Sequence, residues 1–413
     1  MAANNRKFLT YENGACFIFF LMWGFVFLDQ LVLSFLLPAM LKDLPLNNSQ
    51  IGVINMWQTL AFAISAPLFG FLSDRTKKRK LFILLGTFGA GIFGLMTLFA
   101  SSYGSLLAIR FFVGFFEGIV NPIAVALISS YSSQGRFGRN VGIMLLGAGV
   151  ISTLIGPKAA TTIATVWSWQ AAYATIGTCT LIVGLIIWMF IREQAPAEEG
   201  QTKGSYKELF AYRNVLVCLG IGFFYMGALF TFNAFIPLYL TQIGKYSLDT
   251  MGTYLSLMGL IIIGWQLGLP VLSDKIGRKP VLIMGLILAT IVPSALYLFP
   301  STIVGSGTMI LFGGNALILT TFWLAIIPVE SVPSRLSASA SSLITGFAQL
   351  VCAFIVAISG KMADAYGLEA IMIITAGLYI AATLVAFALK ESNPRITGQA
   401  ASSNSSSVTS PGS

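Results

Sequence analysis

The chain has 413 residues, 56% of them hydrophobic and only 9% charged, with a net charge of +9 and a mean hydropathy of +0.84. Water-soluble domains carry about a quarter charged residues, so this composition excludes a soluble enzyme, a nucleic-acid-binding protein and a disordered chain. There is no histidine, which excludes imidazole metal sites, Ser-His-Asp triads and histidine proton switches.

A helix needs about 20 apolar residues to cross a bilayer. Spans are expected at 14–41, 50–73, 80–100, 103–129, 137–163 and 170–191, then at 215–242, 248–272, 280–299, 303–329, 336–362 and 367–389. The runs are too long for barrel strands and do not alternate. The first is too long for a cleaved signal peptide and carries Asp29 in its middle. The expected fold is an all-α membrane protein with twelve transmembrane helices in two six-helix bundles, 1–191 and 215–391. A cytoplasmic linker at 192–214 joins them, and the Ser-rich tail 392–413 is expected to be disordered. Cys16, Cys179, Cys218 and Cys352 show no CxxC spacing and read as buried free thiols.

Orientation follows from Lys and Arg. With both termini in the cytoplasm, only Lys42, Lys245 and Lys361 fall at outer ends, and Arg110 and Lys158 fall inside spans. The rest of the 24 basic residues are cytoplasmic, as the positive-inside rule requires. The net charge is thereby explained without an acidic partner.

One motif occurs twice. Leu72-Ser73-Asp74 follows the second span and Leu272-Ser273-Asp274 the eighth, and each runs into basic residues, through Arg75 and Arg79 and through Lys275, Gly277 and Arg278. Parallel halves of this kind are a transporter architecture. An aspartate at a helix end beside basic side chains suits a conformational latch.

Here the chain resembles the major facilitator superfamily, whose signature is Gly-x-x-x-Asp-Arg/Lys-x-Gly-Arg-Arg/Lys. Gly70 to Lys80 matches except for Lys77 at the glycine position; the second copy keeps Gly277-Arg278-Lys279 but has Pro270 in place of the first glycine. The resemblance implies two bundles around a cavity that opens alternately to each side, lined by helices 1, 4, 7 and 10.

Four ionisable residues sit well inside spans: Asp29, Arg110, Glu117 and Lys158. Such groups are functional candidates by default. Arg110 and Glu117 lie about 20° off a common helical stripe, with Gly114 between them leaving room for a neighbour or ligand, and Asn121 continuing the stripe. Asp29 and Glu117 fall near mid-membrane, with the two cations nearer the outer side. This arrangement fits a proton relay on Asp29 and Glu117 beneath an anion site on Arg110 and Lys158. A permanent structural pairing with Arg110, and a Lys158 that snorkels to the interface, are the alternatives.

The run from Arg110 to Gly118, followed by Asn121-Pro122, together with Asp29, resembles the anion:cation symporter branch and the related spinster-like transporters. The resemblance implies that the aspartate and glutamate carry protons and the arginine couples them to substrate. Where the symporters usually have an arginine after the aspartate, this chain has Gln30. Further cavity candidates are uncharged: Gln58, Tyr225, Asn233, Trp265, Gln266, Asn315 and Gln349. A polar and aromatic wall opposite a charged one suits an amphiphilic or ring-bearing solute.

The expected function is proton-coupled symport of a small organic anion across the cell membrane. The alternative is proton-driven export of amphiphilic drugs or lysolipids. No cofactor and no metal is expected, and sodium stays open as the coupling ion. The expected partners are the solute and the lipid bilayer, with no nucleic acid, and the chain is expected to act as a monomer.

Overall fold

The computed structural model describes residues 2–133, 135–193, 206–393 and 396. Most of the expected 192–214 linker and of the 392–413 tail lies outside the described residues. The helices are α1 (Ala2–Met40), α2 (Asn48–Thr76), α3 (Arg79–Met96), α4 (Tyr103–Tyr131), α5 (Phe137–Val166), α6 (Trp169–Phe190), α7 (Arg213–Gln242), α8 (Leu248–Ile276), α9 (Arg278–Leu298), α10 (Ile303–Ser331), α11 (Ser334–Tyr366) and α12 (Ala370–Ala386). Among the described residues, eleven helices are long and apolar enough to cross a membrane. The twelfth, α12, has 17 residues, about 25 Å at 1.5 Å per residue. The expected boundaries fall within about a turn of these, except that α1 begins at Ala2, twelve residues before the expected start at 14.

Local chemistry sets the ends. Asn47 and Gln50 form a reciprocal capping box at the start of α2, and Ser102 and Ser105 do the same for α4. Ser168 and Ser247 cap α6 and α8. α8 ends on Gly277 at φ 110°, where a side chain is disfavoured. In the first half the same place is held by Lys77 at φ 58° and ψ 18°. The lysine thus adopts the left-handed turn that the usual glycine of the motif supplies. In α5, residues Ala148–Ile155 widen into a π-helix just before Gly156-Pro157, a disruption of the helical ladder of the kind common at functional sites.

The packing repeats. In the first half α2 and α3 lie on α4, α3 on α6, and α1 on α5 and α6; in the second, α8 and α9 lie on α10, α9 on α12, and α7 on α11 and α12. The halves meet through α2 on α11, α5 on α8 and α1 on α7. These contacts cluster at the end of the bundle poor in Lys and Arg. There Gly52 abuts the Val356–Ala357 backbone, Gly252 abuts Thr161, Gly259 abuts Thr153 and Gly360 abuts Asn48. Toward the Lys/Arg-rich end Gly142, Gly268 and Gly346 have nothing beside them. The two halves are closed on each other at one end and apart at the other.

Candidate functional site

At the closed end polar contacts cross between the halves at two places. The Asp364 carboxylate of α11 accepts from the Asn48 and Ser49 amides at the start of α2, both at 2.8 Å. It thereby satisfies orphan donors of a helix N-terminus, where a negative charge is favoured. Lys158 Nζ of α5 donates to Asp249 Oδ1 of α8 at 2.5 Å, and the Lys158 amide donates to Ser256 Oγ at 3.0 Å.

Between the halves, next to this closure, lie two joined clefts with water-accessible volumes of about 50 and 60 Å³ that share Phe27, Leu31, Leu229, Asn233 and Leu317. Their walls come from α1, α2, α7, α8 and α10, with Thr153 from the π-helical stretch of α5 and Pro293 and Tyr379 from α9 and α12. The polar groups of the second cleft are Gln30, Ser34, Asn55, Gln58, Thr59 and Asn233. No charged side chain lines either cleft among the described residues.

The intramembrane charges lie behind this wall. Arg110 is fully buried, with Nη2 donating to Thr97 Oγ1 at 2.7 Å, Nη1 donating to the Asp29 carbonyl at 3.3 Å, and Nη1 3.9 Å from Asp29 Oδ2. Its guanidinium stacks on the Tyr173 ring at 4.8 Å. Glu117, 1% exposed, accepts from Gln58 Nε2 at 3.4 Å. The Asp29 carboxylate oxygens, Glu117 Oε1, Arg110 Nε and the Tyr173 hydroxyl have no hydrogen-bond partner among the described residues. The backbone explains the separation. A side chain at Gly114 would strike the Gln58 carbonyl, and one at Gly118 would strike Ser65 and the Phe62 backbone. The gap at Gly114 is therefore filled by α2, which lies between α4 and the clefts.

Several expectations change accordingly. α4 does not line the clefts, so Arg110 and the half-buried Asn121 do not reach them. In this conformation Lys158 pairs with Asp249 in the closure and does not line the clefts. Tyr225 is buried between Trp323 and Tyr379, and Asn315 donates to the Gly285 carbonyl of α9 at 2.6 Å. Trp265 donates to the Leu311 carbonyl at 2.8 Å, Gln266 faces Gly149 of α5, and Gln349 accepts from Cys352. Of the uncharged candidates, Gln30, Gln58 and Asn233 stand on the cleft. Asn55 joins them.

The duplicated motif forms two related networks at the open end. Arg79 Nη2 lies 3.2 Å from Asp74 Oδ1, while Nη1 donates to the Ala126 carbonyl and Ser130 Oγ of α4. Arg278 binds Asp274 at 2.6 Å and Glu330 of α10 at 2.9 Å. Ser73 and Ser273 are both buried, and each donates to the residue three before it, Gly70 and Pro270. A Cβ at Gly70 would meet Pro122 at 3.9 Å, an ordinary contact. Arg75 and Lys275 occupy the last turns of α2 and α8. The sequence reading missed the carboxylates that cap the next helices. Glu193 accepts from the Lys80 amide, and Glu391 accepts from the Arg278 and Lys279 amides. It also missed Glu12, buried at the start of α1, which takes donors from Ser133 and Asn140.

This doubled architecture, with repeated packing and repeated helix-end networks, agrees with the family comparison: the model of the Major Facilitator Superfamily matches residues 15–356. The chain belongs to this superfamily. It is a multi-pass membrane transporter and not an enzyme.

Among major facilitator relatives, the multidrug resistance protein MdtG of Yersinia enterocolitica is 30% identical, over 42% of this chain and 44% of that protein. The chain therefore aligns with less than half of that relative. The MFS-type transporter MJ1560 of Methanocaldococcus jannaschii is 26% identical over 84% of this chain and 92% of its own length. The hexuronate transporter of Bacillus subtilis is 27% identical over 59% of this chain and 58% of that protein. Among solved structures, a bacterial homolog of the human lysosomal transporter Spinster, inward-facing and occupied, superimposes with a TM-score of 0.77. It is 16% identical, over 91% of this chain and 96% of that one.

Proposed function

We propose that this major facilitator protein is a proton-coupled exporter of uncharged or weakly polar amphiphiles, with twelve membrane crossings and both termini in the cytoplasm. The observation that carries the reading is the cleft wall of hydrocarbon, amides and hydroxyls without a charged group. A charged solute there would lose its hydration with no counter-charge to replace it. The relatives named as multidrug resistance proteins support export. The proton rides on the pair Asp29 and Glu117, since Arg110 balances one carboxylate and leaves the other to be neutralised by a proton. By the positive-inside rule the conformation described is open to the cytoplasm and closed outside.

The hexuronate transporter relative supports a second reading, symport of an organic anion. That reading requires Arg110 to be uncovered by a rearrangement of α2 on α4. Everted membrane vesicles, acidified inside, separate the two. The exporter accumulates an uncharged aromatic amide such as chloramphenicol against its gradient. The symporter leaves it at equilibrium and instead moves glucuronate with the proton.

A further inference from the structure

We propose that the lipid-facing groove between α9 and α12 holds one anionic phospholipid, with its phosphate on Lys279 and an acyl chain along α9. The site lies outside the clefts and does not depend on what the protein transports. Two hollows lie end to end on this face, with water-accessible volumes of about 500 and 480 Å³, and they meet at Ile287. The one at the Lys/Arg-rich end is walled by Pro280, Ile283, Met284, Leu288 and Phe387, and Lys279 closes its end. The other continues along Thr290, Ile291 and Ser294 of α9, opposite Ile380 and Leu384 of α12. The α9 positions recur every three or four residues, so one stripe of the helix forms the floor. Thr290, Ser294 and Thr383 turn their hydroxyls onto carbonyls of their own helices. The wall therefore offers hydrocarbon. The opposite side of α9, at Ala289, Val292 and Pro293, lines the larger-walled cleft between the halves, so groove and cleft are separate. From Pro280 to Ile291 the floor rises about 16 Å, close to the ~15 Å of one leaflet's hydrocarbon.

Hydrocarbon alone would not choose among lipids, but the charge at the end of the groove does. Lys279 Nζ donates to the Phe387 carbonyl at 2.9 Å, and Arg213 Nε donates to the Ala388 carbonyl at 3.0 Å. Two cations thus meet on consecutive carbonyls just past α12, and Lys390 is exposed beside them. An ammonium has three donors, so Lys279 keeps two for a phosphate. The nearby carboxylates are already engaged. Glu391 accepts from the Arg278 and Lys279 amides, while Asp274 and Glu330 hold the Arg278 guanidinium. Basic pockets of this kind between membrane helices attract anionic headgroups. The repeat supplies an internal control. Lys80 is the counterpart of Lys279, since its amide donates to Glu193 as that of Lys279 does to Glu391. There α3 and α6 interlock at glycines, with Gly91 against Leu181, Gly177 against Leu95 and Gly184 against Phe88.

The test uses the full chain in detergent, titrated with phosphatidylglycerol or phosphatidylcholine of the same acyl chains and read by native mass spectrometry. Wild type is expected to hold one phosphatidylglycerol at least about fivefold more tightly than phosphatidylcholine, the contribution of one lysine at a membrane surface. Lys279→Ala is expected to lose that preference, Lys279→Arg to keep it, and Lys80→Ala to keep it. Position is read in nanodiscs with phosphatidylglycerol that carries a diazirine on an acyl chain. Labelling is expected on α9 between Pro280 and Ile291 and on Phe387. Ile287 is exposed, so Ile287→Trp fills the groove without disturbing the core and is expected to abolish this labelling at an unchanged melting temperature. Equal retention of the two lipids overturns the proposal. So does wild-type preference in Lys279→Ala, its loss in Lys279→Arg, or an equal loss in Lys80→Ala. Labelling that misses α9, labelling that survives Ile287→Trp, or a second copy of the chain cross-linked over this face overturns it as well.

Discussion

Lys158 Nζ on α5 lies 2.5 Å from Asp249 Oδ1 on α8, an ion pair that bridges the two halves at their closed end. Asp364 does the same from the opposite side by capping α2. Together they tie α5 to α8 and α11 to α2, so both must break before this end can open. Asp364→Ala removes the partner of two helix-terminal amides, a loss of about 1 kcal/mol, or about fivefold in the balance between conformations. Spin labels on the exposed Trp167 and Tyr366 are expected to show a larger population of long distances in this variant. An unchanged distance distribution contradicts the gate.

Lys77 sits at φ 58° where the repeated motif has Gly277 at φ 110°. A residue with a Cβ costs about 1–2 kcal/mol in this conformation. Lys77→Gly is therefore expected to raise stability by about 1 kcal/mol without loss of transport, read by thermal unfolding in detergent. Lys77→Val is expected to lower it.

Asp74 and Arg79 contribute unequally to the first helix-end network. Arg79 holds the α4 carbonyl and hydroxyl as well as Asp74, whereas Asp74 is 67% exposed in its side chain and, among the described residues, pairs with Arg79. Asp74→Asn is expected to slow turnover strongly while leaving folding and ligand affinity nearly intact, since it alters the balance between states. Arg79→Ala is expected to lower the melting temperature as well. Asp274→Asn is expected to be milder for turnover, because Arg278 keeps its bonds to Glu330.

Close approach of α2 and α4 places Gln58 beside Glu117. Gly114→Ala places a methyl group on the Gln58 carbonyl, and overpacking of this kind costs about 1–3 kcal/mol. Gly104→Ala, on the same helix with nothing near it, is expected to be neutral in stability. Equal melting temperatures for the two variants contradict the packing argument.

The spans were legible because lipid imposes a length and a hydropathy that soluble packing does not. The helix-end ion pairs were legible because the duplication repeats their residues in register: Asp74–Arg79 and Asp274–Arg278 are paired in the structure. Glu193 and Glu391 could have been found from the same repeat, since each follows the last apolar run of its half. The depth of Arg110 could not. Helical spacing puts Arg110, Gly114 and Glu117 on one face but does not say what covers that face, and α2 covers it because two glycines on α4 admit its backbone. The partnership of Lys158 with Asp249 was hidden for a similar reason, since the residues belong to different halves and only the closed conformation joins them.

The central claim is that Glu117 carries the proton that drives transport. The direct measurement is accumulation of chloramphenicol in sodium-free proteoliposomes under an imposed proton gradient, acid inside, for wild type, Glu117→Gln and Asp29→Asn. The account predicts accumulation above equilibrium for wild type, and none for Glu117→Gln, which still binds and exchanges ligand across the membrane. It predicts a reduced gradient for Asp29→Asn. Accumulation at the wild-type level by both variants would contradict it and leave the two carboxylates with a structural role.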